Sequence, residues 1–378
     1  MKKILGLICL SAMPFLFACQ EEEKTTLSGL KPSDFQMEIN GKPNQLYVLK
    51  NAGGMEVCMT NFGARIVSIW VPDNQGTFAD VVLGFDSIGG YLNHSTDFGA
   101  FIGRYGNRIN QGKFTLDGQT YQLDTNNFGH SLHGGSKGFQ YRMFDIDQID
   151  DQTLVVRYVA EDGEMGFPGE LTSKATYHLT DDNAIDIQYE AVTDKPTIIN
   201  LTNHSYFNLT GNPEETVLNH TLLVDADAYT PVDETFMTTG EIATVDQTPM
   251  DFRTSTRIGD RIDQFDFEQL KNGNGYDHNW VLNTSGDVSK PAAIAIDPVS
   301  GRSLTVFTDE PGIQVYSGNF LDGTVTGKKG IVYQQRVGLC LETQHHPDSP
   351  NKADWPSVVL RPGETYTSRC IYQFGVVK

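Results

Sequence analysis

The chain has 378 residues, 39% of them hydrophobic and 10% aromatic, with a formal net charge of −20 at pH 7. That length allows one large core or two smaller ones. The acidity sets the chain against nucleic acid and anionic membrane faces, and no basic cluster offsets it.

Lys2 and Lys3 precede an apolar run over residues 4–18 that is too short, with its Met13-Pro14 break, to span a bilayer comfortably. It ends in Leu16-Phe17-Ala18-Cys19, which resembles the lipobox of bacterial lipoproteins. Residues 1–18 are therefore expected to be a lipoprotein signal peptide, with Cys19 lipidated and anchored in a membrane. The protein is expected in the cell envelope, on the periplasmic side or at the outer-membrane surface. Residues 19–34 are expected to form an acidic tether, since residues 20–26 are polar and lack a hydrophobic period. Glu21, Glu22 and Glu23 suit a solvated spacer and a surface-export signal equally. Beyond the leader, Cys58, Cys340 and Cys370 are an odd number without motif spacing, which predicts no disulfide framework. Cys58 and Cys340 lie among apolar neighbours, as small core residues do.

The rest reads as strands almost throughout. Residues 46–49, Glu56–Thr60 and Arg65–Pro72 are rich in β-formers and separated by Gly and Asn. Residues 113–116 and 119–123 flank Asp117-Gly118, which predicts a hairpin closed by a type I′ turn. Residues 154–160, Leu171–Leu179 and 184–192 alternate, with Ile185, Ile187 and Tyr189 on one face. Short helices are predicted over 86–91 and 266–271, the second with Asp266 as N-cap and Gly273 as stop. There is no βαβ alternation and no internal repeat. A single all-β domain over 35–378 is expected, a large antiparallel sandwich with function on loops and strand edges.

Five segments concentrate chemistry. In 200–209, Asn200, Thr202, His204, Tyr206 and Asn208 would share one face of an extended strand, a polar, uncharged surface suited to a neutral polyol. In 339–351, Glu342 ends an apolar strand, where desolvation raises a carboxylate toward useful base strength. His345, His346 and Asp348 follow, but adjacent histidines on extended chain point opposite ways and no third ligand has matching spacing, so no metal is expected. Residues 101–109 place Arg104 and Arg108 among Gly and aromatic residues, ahead of Ser131-Leu132-His133-Gly134-Gly135. Residues 134–138 lack the flanking strand and helix of a phosphate loop, which removes nucleotide binding. Residues 275–280 and 311–319 set polar groups beside rings.

Taken together, GRYGNRI at 103, SLHGG at 131, NLTNHSYFNL at 200, YDHNW at 276, EPGIQVYSGNFL at 310 and LETQHHPDSPN at 341 resemble the aldose 1-epimerase (galactose mutarotase) family, in the family's order, from about residue 35 to the C-terminus. The resemblance implies a β-supersandwich with a carbohydrate cleft, and interconversion of the α and β anomers of free aldoses of the glucose and galactose type. By position it implies Glu342 as general base and His204 as general acid. Asn107, Arg108, His133, Asp277 and Gln314 match sugar-contacting residues. The implied partner is a free monosaccharide, and no cofactor is required.

Mutarotation needs one proton taken from the anomeric hydroxyl and another given to the ring oxygen, from a base and an acid expected on opposite sides of the ring. Each transfer contributes roughly 10²–10⁴-fold. Glutamate ionises below neutral pH, and a histidine beside a carboxylate can start protonated. Two other classes stay open on sequence: a glycan-processing hydrolase or lyase, disfavoured because hydrolysis asks for two carboxylates, and a non-catalytic carbohydrate-binding lipoprotein.

Overall fold

Side chains alternate between buried and more accessible along Leu171–Leu179 and Arg302–Thr308, the pattern of strands with one face on a core. These belong, among the described residues, to a nine-stranded sheet. Its spatial order is Asp145–Gln148, Thr153–Ala160, Leu171–Leu179, Ala184–Thr193, Tyr366–Val376, Arg302–Thr308, Ala293–Ile296, Thr221–Val224 and Thr256–Arg257, each pair antiparallel. The computed structural model describes residues 25–377.

A second sheet of six strands runs Tyr206–Phe207, Leu339–Gln344, Gly312–Tyr316, Asp277–Val281, Ala228–Thr230 and Ala243–Thr244. Its central strands are buried on both faces. Leu339, Leu341, Ile313, Val315 and Trp280 enter one core with Tyr177, Ile187, Leu304 and Tyr372 of the nine-stranded sheet. A four-stranded sheet, Leu46–Lys50 to Phe78–Asp80, adds Leu49, Val57, Ile66 and Ile69 to the same core. The molecule is thus the nearly all-β antiparallel sandwich expected of its sequence. The Tyr372 hydroxyl donates across the layers to the Leu341 carbonyl at 2.8 Å. Tyr372→Phe removes that bond and is expected to cost about 1 kcal/mol in denaturant unfolding, with the cleft unchanged.

Because side chains alternate, the strands that bury Leu341 and Ile313 must turn Cys340, Glu342, Gln344 and Gln314 to the opposite face. Register sets Gln314 against Glu342, Asn279 against Gln314 and Asp277 against Tyr316. This polar face is the floor of the cleft described below.

Local expectations hold in part. The hairpin forms between Lys113–Leu116 and Gln119–Gln122, with Asp117 at φ 50° and Gly118 at φ 80°, the two positive values a type I′ turn needs. Both helices form two residues late, as Ile88–Asn93 and Glu268–Gly273. Asp266 caps neither end. Asn274 takes the left-handed position after the second helix, and the Gly275 N–H donates to the Leu270 carbonyl at 2.9 Å, so a Schellman-type stop falls one residue beyond Gly273.

The expected signal peptide and Cys19 lie outside the described residues. The expected tether is described from residue 25, and there it is packed. Thr26, Ser28 and Leu30 are buried, and the Leu27 and Ser28 N–H groups donate to Glu56 Oε1 at 2.7 and 3.3 Å. Leu30 alone docks its side chain, while Leu27 stays exposed, too little apolar patterning to show a period. Cys58, Cys340 and Cys370 are free, buried thiols, and burial pushes Cys58 and Cys370 up to about 12.

Candidate active site

The chain passes from one sheet to another within a few residues. Thr202–His204 pairs with Ala100–Ile102, and Tyr206–Phe207 pairs with Leu339–Gln344, Tyr206 lying opposite Cys340. The 200–209 segment is therefore two short strands broken at Ser205, not one. His204 and Tyr206 face the cleft with their rings stacked, centroids 5.0 Å apart. Asn200 and Asn208 are structural: Asn200 receives the His345 N–H at 3.0 Å, and Asn208 donates to the Glu215 and Val337 carbonyls. Thr202 is buried with its hydroxyl unpartnered.

Glu342 lies within its strand rather than at its end, two residues from Cys340 on the same face. His204 Nε2 and Glu342 Oε1 are 3.5 Å apart, both nearly sealed from solvent. The pair is in direct contact, not split across a ring. The arrangement suits two oxygens bonded to one carbon.

Strand Arg108–Ile109 pairs with Ser131–Leu132, which joins the 103–109 and 131–135 segments and gathers Asn107, Arg108 and His133. Asn107 and His133 take left-handed φ of 64° and 52°. The Asn107 N–H donates to His133 Nδ1 at 3.1 Å, and the His133 N–H returns to the Asn107 carbonyl at 3.1 Å. With Nδ1 accepting, the neutral His133 ring carries its proton on Nε2. Gly134 is held tightly, since a Cβ there would stand 2.1 Å from the Gly103 carbonyl oxygen. Arg108 Nε donates to Asn127 Oδ1 at 3.1 Å, and its guanidinium lies 4.9 Å from the centre of the Phe236 ring. Gln314 Nε2 donates to Asp277 Oδ1 at 2.7 Å.

All seven sequence-predicted residues, Glu342, His204, Asn107, Arg108, His133, Asp277 and Gln314, line one cavity of about 400 Å³. Asp97, Asn127, Tyr206, Tyr316, Phe236 and the half-exposed Phe128 and Phe320 are also in its wall. Arg104 is not among them. It is buried behind the loop, where Nη1 donates to the Pro168 and Gly169 carbonyls at 2.8 Å each. His345 and His346 serve structure as well, His345 Nδ1 bonding Glu310 Oε2 at 2.5 Å. A different set could hold a metal ion: one donor atom each from Asp97, His133 and His204, or from His204, Cys340 and Glu342, fall within 4.8 Å of one another.

Burial dominates the electrostatics. It pushes Glu342 well above the usual carboxylate range, aided by Asp277 and Asp97 and opposed by Arg108. It brings His204 down to about 3. Burial thus works against the charged form of both groups, and so against the expectation that His204 starts protonated beside a carboxylate. Burial also lowers His133, and raises Asp277 against the pull of Arg108.

The aldose 1-epimerase family profile matches residues 45–373. The chain belongs to the aldose 1-epimerase family. It is 42% identical over 322 residues to galactose mutarotase of Bos taurus, covering 85% of this chain and 92% of that one. It is 40% identical over 337 residues to aldose 1-epimerase of Escherichia coli (strain K12), covering 89% and 96%. Among solved structures, an aldose epimerase homologue from C. elegans superposes with a TM-score of 0.80 at 32% identity, covering 89% of this chain and 100% of that one. Galactose 1-epimerase from Lactobacillus acidophilus NCFM gives 0.79 at 30%, covering 91% and 98%. Like other aldose 1-epimerases, this family member is an isomerase that interconverts sugar anomers, and the cleft is where its titratable groups converge.

Proposed function

We propose that Glu342 and His204 are the general base and general acid for interconverting the α and β anomers of free aldohexoses of the glucose and galactose type. The 3.5 Å contact between them, at the floor of a cleft lined by hydroxyl-binding groups, carries this reading. A bound sugar supplies the hydrogen bonds that burial denies the pair. The anomeric O–H donates to Glu342 and the ring oxygen accepts from His204, which favours carboxylate and imidazolium over the neutral arrangement. Glu342 takes the hydroxyl proton, the C1–O5 bond breaks, and His204 delivers its proton to O5, leaving an open-chain aldehyde. Rotation about C1–C2 presents the other carbonyl face, and the transfers reverse.

Arg108 and Asp277 hold hydroxyls through charge-assisted bonds, Gln314 adds a neutral amide, His133 presents its Nε2–H, and Tyr316 and Phe236 offer rings to C–H faces. Asp277→Ala is expected to raise KM about tenfold with a smaller effect on kcat, as loss of uniform binding does. Anomer-exchange NMR across a concentration series checks it. Inactivity toward oligosaccharides in a reducing-sugar assay separates this reading from hydrolysis.

We also propose that Cys19 carries the lipid and tethers the domain in the cell envelope, at the periplasmic side or the outer-membrane surface. Lys2, Lys3, the apolar run and Ala18-Cys19 support it. Labelling with a fatty-acid analogue should mark the protein and miss Cys19→Ala; equal labelling of both ends the proposal.

A further inference from the structure

The catalytic cavity does not end at the reacting pair. A second cavity of about 250 Å³ adjoins it, and Ser95, Asp97, Tyr206, Tyr316 and Phe320 wall both. Liquid water takes about 30 Å³ per molecule, so roughly eight waters' worth of space lies there, room for a further sugar ring. Thr96 Oγ1 and Asp97 Oδ1 are shut off from solvent without a hydrogen-bond partner among the described residues. Both residues are only partly buried, and both line this space. Phe98 and Tyr333 add ring surface.

The direction of this extension follows from the roles proposed above, on which the inference rests. His204 addresses the ring oxygen, and the ring oxygen is bonded to C5, the carbon that carries C6. His204 stacks on Tyr206, a wall of the second cavity, and an Asp97 oxygen lies within 4.8 Å of a His204 ring nitrogen. The groups that take the other hydroxyls, Arg108, Asp277 and Gln314, line the first cavity and not the second. We infer that the second cavity is a subsite for a neutral glycosyl group carried on O6 of the aldose, with Asp97 at the doorway reading the C6 oxygen. Free (1→6)-linked disaccharides are then substrates at their reducing end. A phosphate on O6 is excluded, because Asp97 and Asp322 face the space and no lysine or arginine lines it among the described residues.

Anomer exchange on glucose, isomaltose (glycosyl on O6), maltose (glycosyl on O4) and glucose 6-phosphate tests this on the full chain. Isomaltose is expected within about threefold of glucose in kcat/KM, with maltose and glucose 6-phosphate lower by about tenfold or more. Thr324→Trp fills the second cavity from an exposed position outside the catalytic set. It is expected to cut kcat/KM for isomaltose about tenfold and leave glucose unchanged. Isomaltose faring no better than maltose, or a Trp variant that treats glucose and isomaltose alike, overturns the subsite. Glucose turned over and isomaltose refused does the same while leaving the catalytic pair standing. No turnover of glucose itself sinks the proposed roles and the subsite with them.

Discussion

Glu342→Gln is expected to lower kcat by about 10²–10⁴-fold while leaving the protein folded. The substitution keeps shape and removes only the ionisable oxygen, and Oε2 has no hydrogen-bond partner to lose. Stability should shift in a telling way. Burial, with Asp277 and Asp97, holds the folded-state pKa of Glu342 well above its unfolded value. The stability linked to its proton is fully present below the unfolded pKa and is lost as pH rises through the folded one. Glutamine carries no such proton, so the variant should lose less stability than the parent between acidic and alkaline pH. Polarimetry on fresh α-glucose and denaturant unfolding at several pH values read the two halves. Parental turnover in the variant would refute the base assignment.

His204→Asn is expected to lose a similar about 10²–10⁴-fold, and its pH profile separates an acid from a structural prop. In the parent the pair holds one proton over a wide range. It gains a second only toward the His204 value of about 3, and loses its sole proton on the alkaline side. The apparent limits belong to the pair rather than to either residue. With asparagine at 204, Glu342 titrates alone, so the acidic limb of the rate profile should climb toward the raised carboxylate value. A slower variant with its acidic limb unmoved would mean that His204 only supports the wall.

The cleft was legible in sequence where chemistry was dense and local. Glu342, His204, Asn107, Arg108, His133, Asp277 and Gln314 each sit in a short run of polar and aromatic residues, and all seven meet in the cavity. Asp97, Asn127, Phe128 and Phe236 also line it, yet each stands in an ordinary loop, and only long-range pairing brings it there. Asp97 had one faint signal: it immediately precedes the segment that carries Ala100–Ile102, the partner of the His204 strand. Arg104 and Arg108 looked alike from four residues apart, but burial of one against backbone carbonyls and of the other beside Phe236 is a tertiary fact. Proton positions were the least legible. Residue types suggest a charged pair, whereas burial at the floor works against both charges. Among the elements, the Asp-Gly hairpin was read correctly because two positive φ values have a local cause. The helices slid by two residues because no side-chain cap marks their starts.

The break at Ser205 has a consequence for how this enzyme family member can vary. His204 hangs from one strand, and two residues later the same backbone is laced to the strand that bears Glu342. Their separation is therefore governed by a short covalent link and one ladder, not by the fit of distant layers. Core substitutions could slacken the sandwich considerably without parting the two, whereas inserting a single residue beside Ser205 would turn one of them away.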